Sequence, residues 1–320
     1  MGRIEMRDLV QPGAREEQLA SGFGFTEGPV WHPHGYLLFS DIPRSTRYRW
    51  TPAGGITAML HPSNKGNGMT FDPWGRLLVC EHDTSSVVRV TVDGHGAEQS
   101  RQVLATHYDG LELNSPNDIA VRTDGSVYFT DPTYGRMEGI GIKREQELDF
   151  QGVFRVTPDG GLERVATGYT QPNGICFSPG EDILYVNDTI RCAVYRYAVH
   201  PDGSLSGEAL LLDGIGEPVD WTNDFPAPDG MRCDELGNVW TTGPGGIWAI
   251  SPDGEHIGTI EVGELPANFC WGGDDLRTMF ITCTTSLTRV PVRVGPAGWP
   301  SSRYRARATQ AGAAPGSAQS

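Results

Sequence analysis

One short phrase, repeated six times, constrains this 320-residue chain more than any other feature. Each copy puts an acid or amide side chain at the head of a short apolar strand, then a turn and a second strand. The copies begin at Glu27-Gly28-Pro29-Val30-Trp31, Asn67-Gly68-Met69, Asn117-Asp118-Ile119, Asn173-Gly174-Ile175, Asp229-Gly230-Met231 and Asn268-Phe269-Cys270. Successive heads are 40, 50, 56, 56 and 39 residues apart. Irregular units of that length, each with room for four strands, predict an all-β, six-bladed β-propeller. No stretch carries a sustained 3.6-residue apolar period, and 42 glycines with 23 prolines suit tight turns.

The first blade reads as strands 28–32, 36–40, 46–51 and 56–60. Gly35, Gly75, Gly125, Gly180 and Gly237 mark the turn between the first two strands of five repeats, where hairpins ask for positive φ. The last unit supplies only three strands (268–270, 278–283 and 287–292). Residues 14–22 closely resemble 161–168, which end a repeat, so the N-terminal strand 15–20 is expected to close the ring as the outermost strand of the last blade. The chain then divides into an N-terminal extension (1–14) lying over the surface, one propeller domain (15–302) and a disordered tail (303–320). Two connections exceed turns: 131–151 in blade three, and 214–228 with Trp221 and Phe225. Strand direction puts both on the face that carries the six leading residues, as substrate mouth, lid or bracing.

The net charge of −15, with only 25 Lys and Arg, argues against nucleic acid or an anionic membrane as partner. No signal peptide or membrane-spanning stretch is evident. Six cysteines (Cys80, Cys176, Cys192, Cys233, Cys270, Cys283) stand singly in predicted strands without a CxxC pair, which reads as reduced core thiols in a cytoplasmic protein, a monomer or small homo-oligomer.

In a propeller the six innermost strands converge on one axis, so their leading residues surround one point. Carboxylates from Glu27 and Asp229 with amide oxygens from Asn117 and Asn173 form an all-oxygen set. Hard cations take such ligands, Ca2+ first, with Mg2+, Mn2+ or Zn2+ as alternatives. Two carboxylates neutralise one divalent ion. Strand capping accounts for any one of these residues, but not for the acids recurring in the same column. Asn67, Asn268 and Trp221 are candidates to orient a substrate. Asp131, Tyr134, Glu81, His82 and Asp188, at or after the ends of second strands, are candidates for an outer layer of contacts or a second cation, with acidic turns as the plainer reading. His82 is also a candidate proton carrier. No GxSxG, P-loop or HExxH motif is present.

Thr26-Glu27-Gly28-Pro29-Val30-Trp31, Leu113-Asn114-Ser115-Pro116-Asn117-Asp118-Ile119, Tyr128-Phe129-Thr130-Asp131-Pro132-Thr133-Tyr134-Gly135, Gln171-Pro172-Asn173-Gly174-Ile175 and Pro228-Asp229-Gly230-Met231 together resemble the senescence marker protein (regucalcin)/gluconolactonase/luciferin-regenerating-enzyme family, in its bacterial sugar-lactonase branch. The resemblance spans roughly residues 14–295. It implies a six-bladed propeller with one divalent metal in the axial tunnel, held at positions matched by Glu27, Asn173 and Asp229, with Asn117 touching metal or substrate. It also implies hydrolysis of a small-molecule lactone with Asp229 as base. Regucalcin-like members place an Arg two residues before that Asn, whereas this chain has Ser115. A phosphotriester or aryl-ester hydrolase, as in diisopropylfluorophosphatase, and a non-catalytic Ca2+-binding propeller that docks a partner are the alternative readings.

Overall fold

The computed structural model describes residues 4–217 and 226–298. The predicted tail (303–320) lies outside the described residues. Six four-stranded antiparallel sheets form the blades of a propeller, innermost strand first. Those innermost strands are Thr26–His32, Gly66–Phe71, Ile119–Val121, Pro172–Phe177, Met231–Cys233 and Pro266–Gly272. The first blade continues through Tyr36–Asp41, Thr46–Thr51 and Gly55–Leu60, within two residues of the predicted spans. The ring closes as expected. Glu17–Ser21 pairs antiparallel with Ser286–Pro291, Gln18 opposite Thr288 and Ser21 opposite Ser286, as the outermost strand of blade 6. The first and last segments of the propeller therefore share one sheet, and the outer edge of Ser286–Pro291 is covered.

Burial falls from the axis outward. The second strands of blades 2 and 3, Leu77–Glu81 and Val127–Asp131, are buried throughout, while Glu98–Ala105 on the rim is mostly exposed. The core is a series of apolar wedges. One joins Leu78 and Val87 to Phe129 and Phe154, and another joins Trp240 and Ile247 to Phe269 and Met279. Each fully buried side chain of this kind contributes about 1.5–3 kcal/mol.

Three local features depart from the sequence reading. The N-terminal extension is not confined to the surface: it forms a short helix, Met6–Leu9, and Leu9 is wholly buried among Val292, Val294 and Trp271. Apolar ends of blades 5 and 6 would otherwise face water. In blade 4 the left-handed turn position is taken by Glu181 (φ 58°) rather than Gly180. Its carboxylate accepts hydrogen bonds from Thr123 N (2.9 Å) and Oγ1 (2.8 Å), which hold it there. All six cysteines are free and buried, but Cys192 lies in a turn rather than a strand. Among the described residues no helix is long and apolar enough to cross a membrane.

Candidate active site

Four of the six innermost strands carry a register shift where the repeated phrase begins. Pairing jumps between Glu27 and Val30, Gly66 and Met69, Pro172 and Ile175, and Pro266 and Asn268. A bulge of this kind bends the strand and re-aims a side chain. In blades 3 and 5 the leading residues Asn117 and Asp229 precede the first paired residue altogether. An irregularity in pairing thus falls within two residues of every leading residue.

The glycine after the leading residue serves the neighbouring blade. A Cβ on Gly174 would lie 2.6 Å from Met231 Cβ and 2.7 Å from Met231 N, and against Asp229 O. On Gly68 it would lie 2.7 Å from Asp118 Cα. Backbone-to-backbone approach that close is open only to glycine.

A circuit of hydrogen bonds joins each blade to the next at this level. Ser40 Oγ donates to Asn67 O (3.2 Å), Gly68 N to Asn117 O (2.9 Å) and Thr130 Oγ1 to Asn173 O (2.7 Å). Asn187 Nδ2 donates to Asp229 O (2.7 Å), Gly230 N to Ala267 O (2.8 Å), and Asn268 Nδ2 to Glu27 Oε2 (2.9 Å).

Glu27, Asn173 and Asp229 converge. The charge of Glu27 acts on Asp229, and the Asn173 amide is the side chain that hydrogen-bonds to the Asp229 carboxyl. Burial, then the Asp118 charge, pushes Glu27 up to about 7. Burial, then Glu27 and Asp118, pushes Asp229 well above the usual carboxylate range. Beneath them Arg232 Nη1 donates to Asp118 Oδ2 (2.9 Å). Neither Asp118 nor Arg232 belongs to the sequence-derived site. A signal did exist: Arg232 is the only Lys or Arg on the six innermost strands.

The amides divide by their partners. Asn67 Nδ2 donates to His82 Nε2 (3.1 Å), while His82 Nδ1 donates to Ile140 O (3.3 Å). This fixes one tautomer, and burial lowers His82 to about 4, so the ring is neutral and orients Asn67. Asn67 Oδ1 is left buried with no partner. Asn173 Nδ2 donates to Thr189 Oγ1 (3.0 Å). Asn117 is buried, and its side chain makes no hydrogen bond among the described residues. Asn268 is engaged at both ends, by Glu27 and by Phe269 N (2.8 Å), and so positions Glu27. Trp221 and Phe225 lie outside the described residues.

Three of the acids that end second strands are engaged by backbone N–H groups. Asp131 accepts from Asn114 N and Ser115 N (both 2.8 Å), and Asp188 from Thr170 N (2.6 Å) and Gln171 N (3.2 Å). Asp41 does the same for Gly24 N (2.9 Å). Each clamps the loop leading into its own blade's first strand. Glu81 pairs with Arg101 and accepts from Asn64 (3.0 Å) and Thr84 (3.0 Å).

The long connection after Asp131 sits on this same face, as expected. Lys65 Nζ reaches Gly139 O (2.8 Å), and buried Arg136 donates to Leu113 O (2.7 Å). It carries Tyr134, whose hydroxyl meets the Thr189 and Asn173 side chains. Ser115 Oγ donates to Pro132 O (2.6 Å) and accepts from Gly135 N (2.9 Å), so it fastens this connection.

The fold and this axial cluster define a class: six-bladed propellers with an acid-and-amide site at the head of the central channel. Residues 25–285 match the family described as SMP-30/Gluconolactonase/LRE-like region. The chain is 34% identical over 292 residues to a gluconolactonase of Zymomonas mobilis, covering 86% of this chain and 80% of that one. It is 28% identical over 268 residues to a pentonolactonase of Haloferax volcanii, covering 80% of each. A solved structure of a gluconolactonase from Xanthomonas campestris superposes with a TM-score of 0.78 at 29% identity, covering 89% of this chain and 91% of that one. The chain belongs to the SMP-30/gluconolactonase/LRE-like family.

Proposed function

We propose that this chain is a divalent-metal-dependent lactonase that hydrolyses sugar lactones, the ring class named for its gluconolactonase and pentonolactonase relatives. The observation that carries the reading is the charge at the head of the channel. Ionised, Glu27, Asp118 and Asp229 would meet one cation, Arg232, with two negative charges in excess in a buried site. Without a metal the raised Glu27 and Asp229 carboxyls absorb that excess by holding protons. Uncompensated buried charge is costly, and a divalent ion balances it.

The donors fit that ion. Among the described residues no three His, Cys, Asp or Glu side chains gather as a metal cluster. The column instead offers two carboxylates among amides, with Asn67 Oδ1 unpartnered. Oxygen donors of this kind select Ca2+ first, then Mg2+, Mn2+ or Zn2+. Glu27, Asn173 and Asp229, with Asn117, would hold the ion. When bound, it supplies Lewis-acid polarisation of the lactone carbonyl and charge for the developing oxyanion.

The chain's own groups do the rest. Asp229 accepts the proton of the attacking water. Ligation to a cation weakens a carboxylate as a base, and the burial that raises Asp229 opposes that loss. Asn117 and Asn67 Oδ1 orient the substrate, the latter held by neutral His82. Tyr134 covers Asn173 from the long connection of blade 3 and narrows the approach.

Turnover of gluconolactone and a panel of pentonolactones, before and after exhaustive chelation and with each metal added back, tests the reading. Chelation is expected to cut turnover at least 100-fold and Ca2+ to restore it, with Asp229→Asn inactive in the Ca2+-loaded protein. Full turnover after chelation, or no lactone opened by the metal-loaded protein, overturns it.

A further inference from the structure

Arg232 of the Asp118–Arg232 pair also lines a chamber of about 190 Å³. None of Glu27, Asn117, Asn173 or Asp229 lines it. Its walls are the later residues of the same innermost strands, among them Val30, Met69, Ile119, Ile175, Phe177 and Trp271. Burial pushes the Cys270 thiol up to about 12, so this sulfur too is a neutral apolar surface. The chamber ends at the face opposite the acid-and-amide column, where exposed Asp274 and Gly298 form part of the rim.

Arg232 is the one cation among the lining residues. Its Nη1 is committed, donating to Asp118 Oδ2 (2.9 Å) and Met231 O (2.7 Å). Nε and Nη2 have no partner among the described residues, and the side chain keeps 18% of its surface exposed. These two nitrogens form one planar edge of the guanidinium, whose spacing matches the two oxygens of a carboxylate. Two acids, Glu181 and exposed Asp274, also line the chamber; Glu181 is turned to Thr123, whose N (2.9 Å) and Oγ1 (2.8 Å) donate to its carboxylate.

We propose that this chamber binds a small carboxylate with a flat apolar body, such as an aromatic monocarboxylate, held side-on by Nε and Nη2 of Arg232. An apolar protein cavity of about 150 Å³ takes up benzene, so the space suffices. The walls disfavour polyhydroxylated acids, most of whose hydroxyls would lose water against carbon, with Thr70 and Ser178 as the hydroxyl partners on offer. The site is thus distinct in chemistry from one that takes sugar lactones, and it stands whether or not the column binds a metal.

Calorimetric titration of the full chain in chelator, with benzoate, benzyl alcohol and gluconate as probes, tests the proposal. Chelator removes any cation at the column to which a carboxylate could bind. Saturable one-to-one binding of benzoate is expected, at least tenfold tighter than either other probe. Arg232→Lys keeps a cation beside Asp118 but loses the planar edge, and should weaken benzoate at least tenfold. Ala120→Phe fills the chamber and should abolish binding. Equal binding of benzoate and benzyl alcohol, binding that needs added Ca2+, or no saturable binding overturns the proposal. Benzoate binding untouched by both folded variants does the same. Should neither variant fold, the three-probe comparison on the unaltered chain still decides.

Discussion

Gly174→Ala tests whether close approach of neighbouring blades sets the site. Gly174 is not in the left-handed region, so alanine adds no backbone strain there. Its Cβ would sit 2.6 Å from Met231 Cβ and 2.7 Å from Met231 N. Ordinary carbon contacts are about 3.5–4.0 Å, so the inner strands of blades 4 and 5 must part by about 1 Å. Backbone stands on both sides and cannot rotate away. The joint they share is the Asn187 bridge, which accepts from Gly174 N (2.8 Å) and donates to Asp229 O (2.7 Å). Overpacking of this kind costs about 1–3 kcal/mol of stability. A misplacement of about 1 Å between Asn173 and Asp229 costs about 100-fold in turnover. Urea denaturation and lactone turnover in saturating Ca2+ measure the two effects, and Ca2+ titration reads the same displacement as lost affinity. Gly94→Ala is the control, since its Cβ meets only the His34 ring, at 3.4 Å and beyond. A Gly174→Ala protein with the midpoint and Ca2+ affinity of the unaltered chain would refute the reasoning.

Two further outcomes are expected. In the metal-free protein Glu27 is raised from 4.5 to about 7, so over that range the folded state holds a proton that the unfolded chain has released. Stability therefore falls as pH rises from about 4.5 to 7, and bound Ca2+, which prefers the ionised form, reverses the loss. Melting temperatures in chelator and in Ca2+ should diverge between pH 5 and pH 8; a constant gap contradicts this. Deleting residues 1–21 removes the strand paired with Ser286–Pro291 and leaves that strand as a bare edge. Size-exclusion chromatography should then show aggregates, and a stable monomer would count against the closure as the strand's role.

The architecture was legible because the repeated phrase is local and frequent. Six leading acids and amides counted the blades, and the likeness of residues 14–22 to 161–168 located the closing strand. The column was legible because one register placed Glu27, Asn117, Asn173 and Asp229 at equivalent positions. What stayed hidden depends on partners distant in the chain. The Asp118–Arg232 pair spans 114 residues. The shifts beside Glu27 and Asn67 arise from pairing, and no residue type announces them. Asp131 and Asp188 read as open acids, yet their oxygens are taken by backbone N–H groups just upstream of Asn117 and Asn173. Asn268 read as a substrate contact because its bond to Glu27 crosses 241 residues.

The clasp at the rim has a consequence for the order of assembly. Synthesis produces Glu17–Ser21 near the start of the chain and its partner Ser286–Pro291 near the end, so the early strand must wait unpaired while five blades emerge. Glu27 receives its bond from Asn268 only when the newest blade arrives beside the oldest. A half-made propeller therefore lacks the complete acid-and-amide cluster, which comes into being with the final turn of the circle.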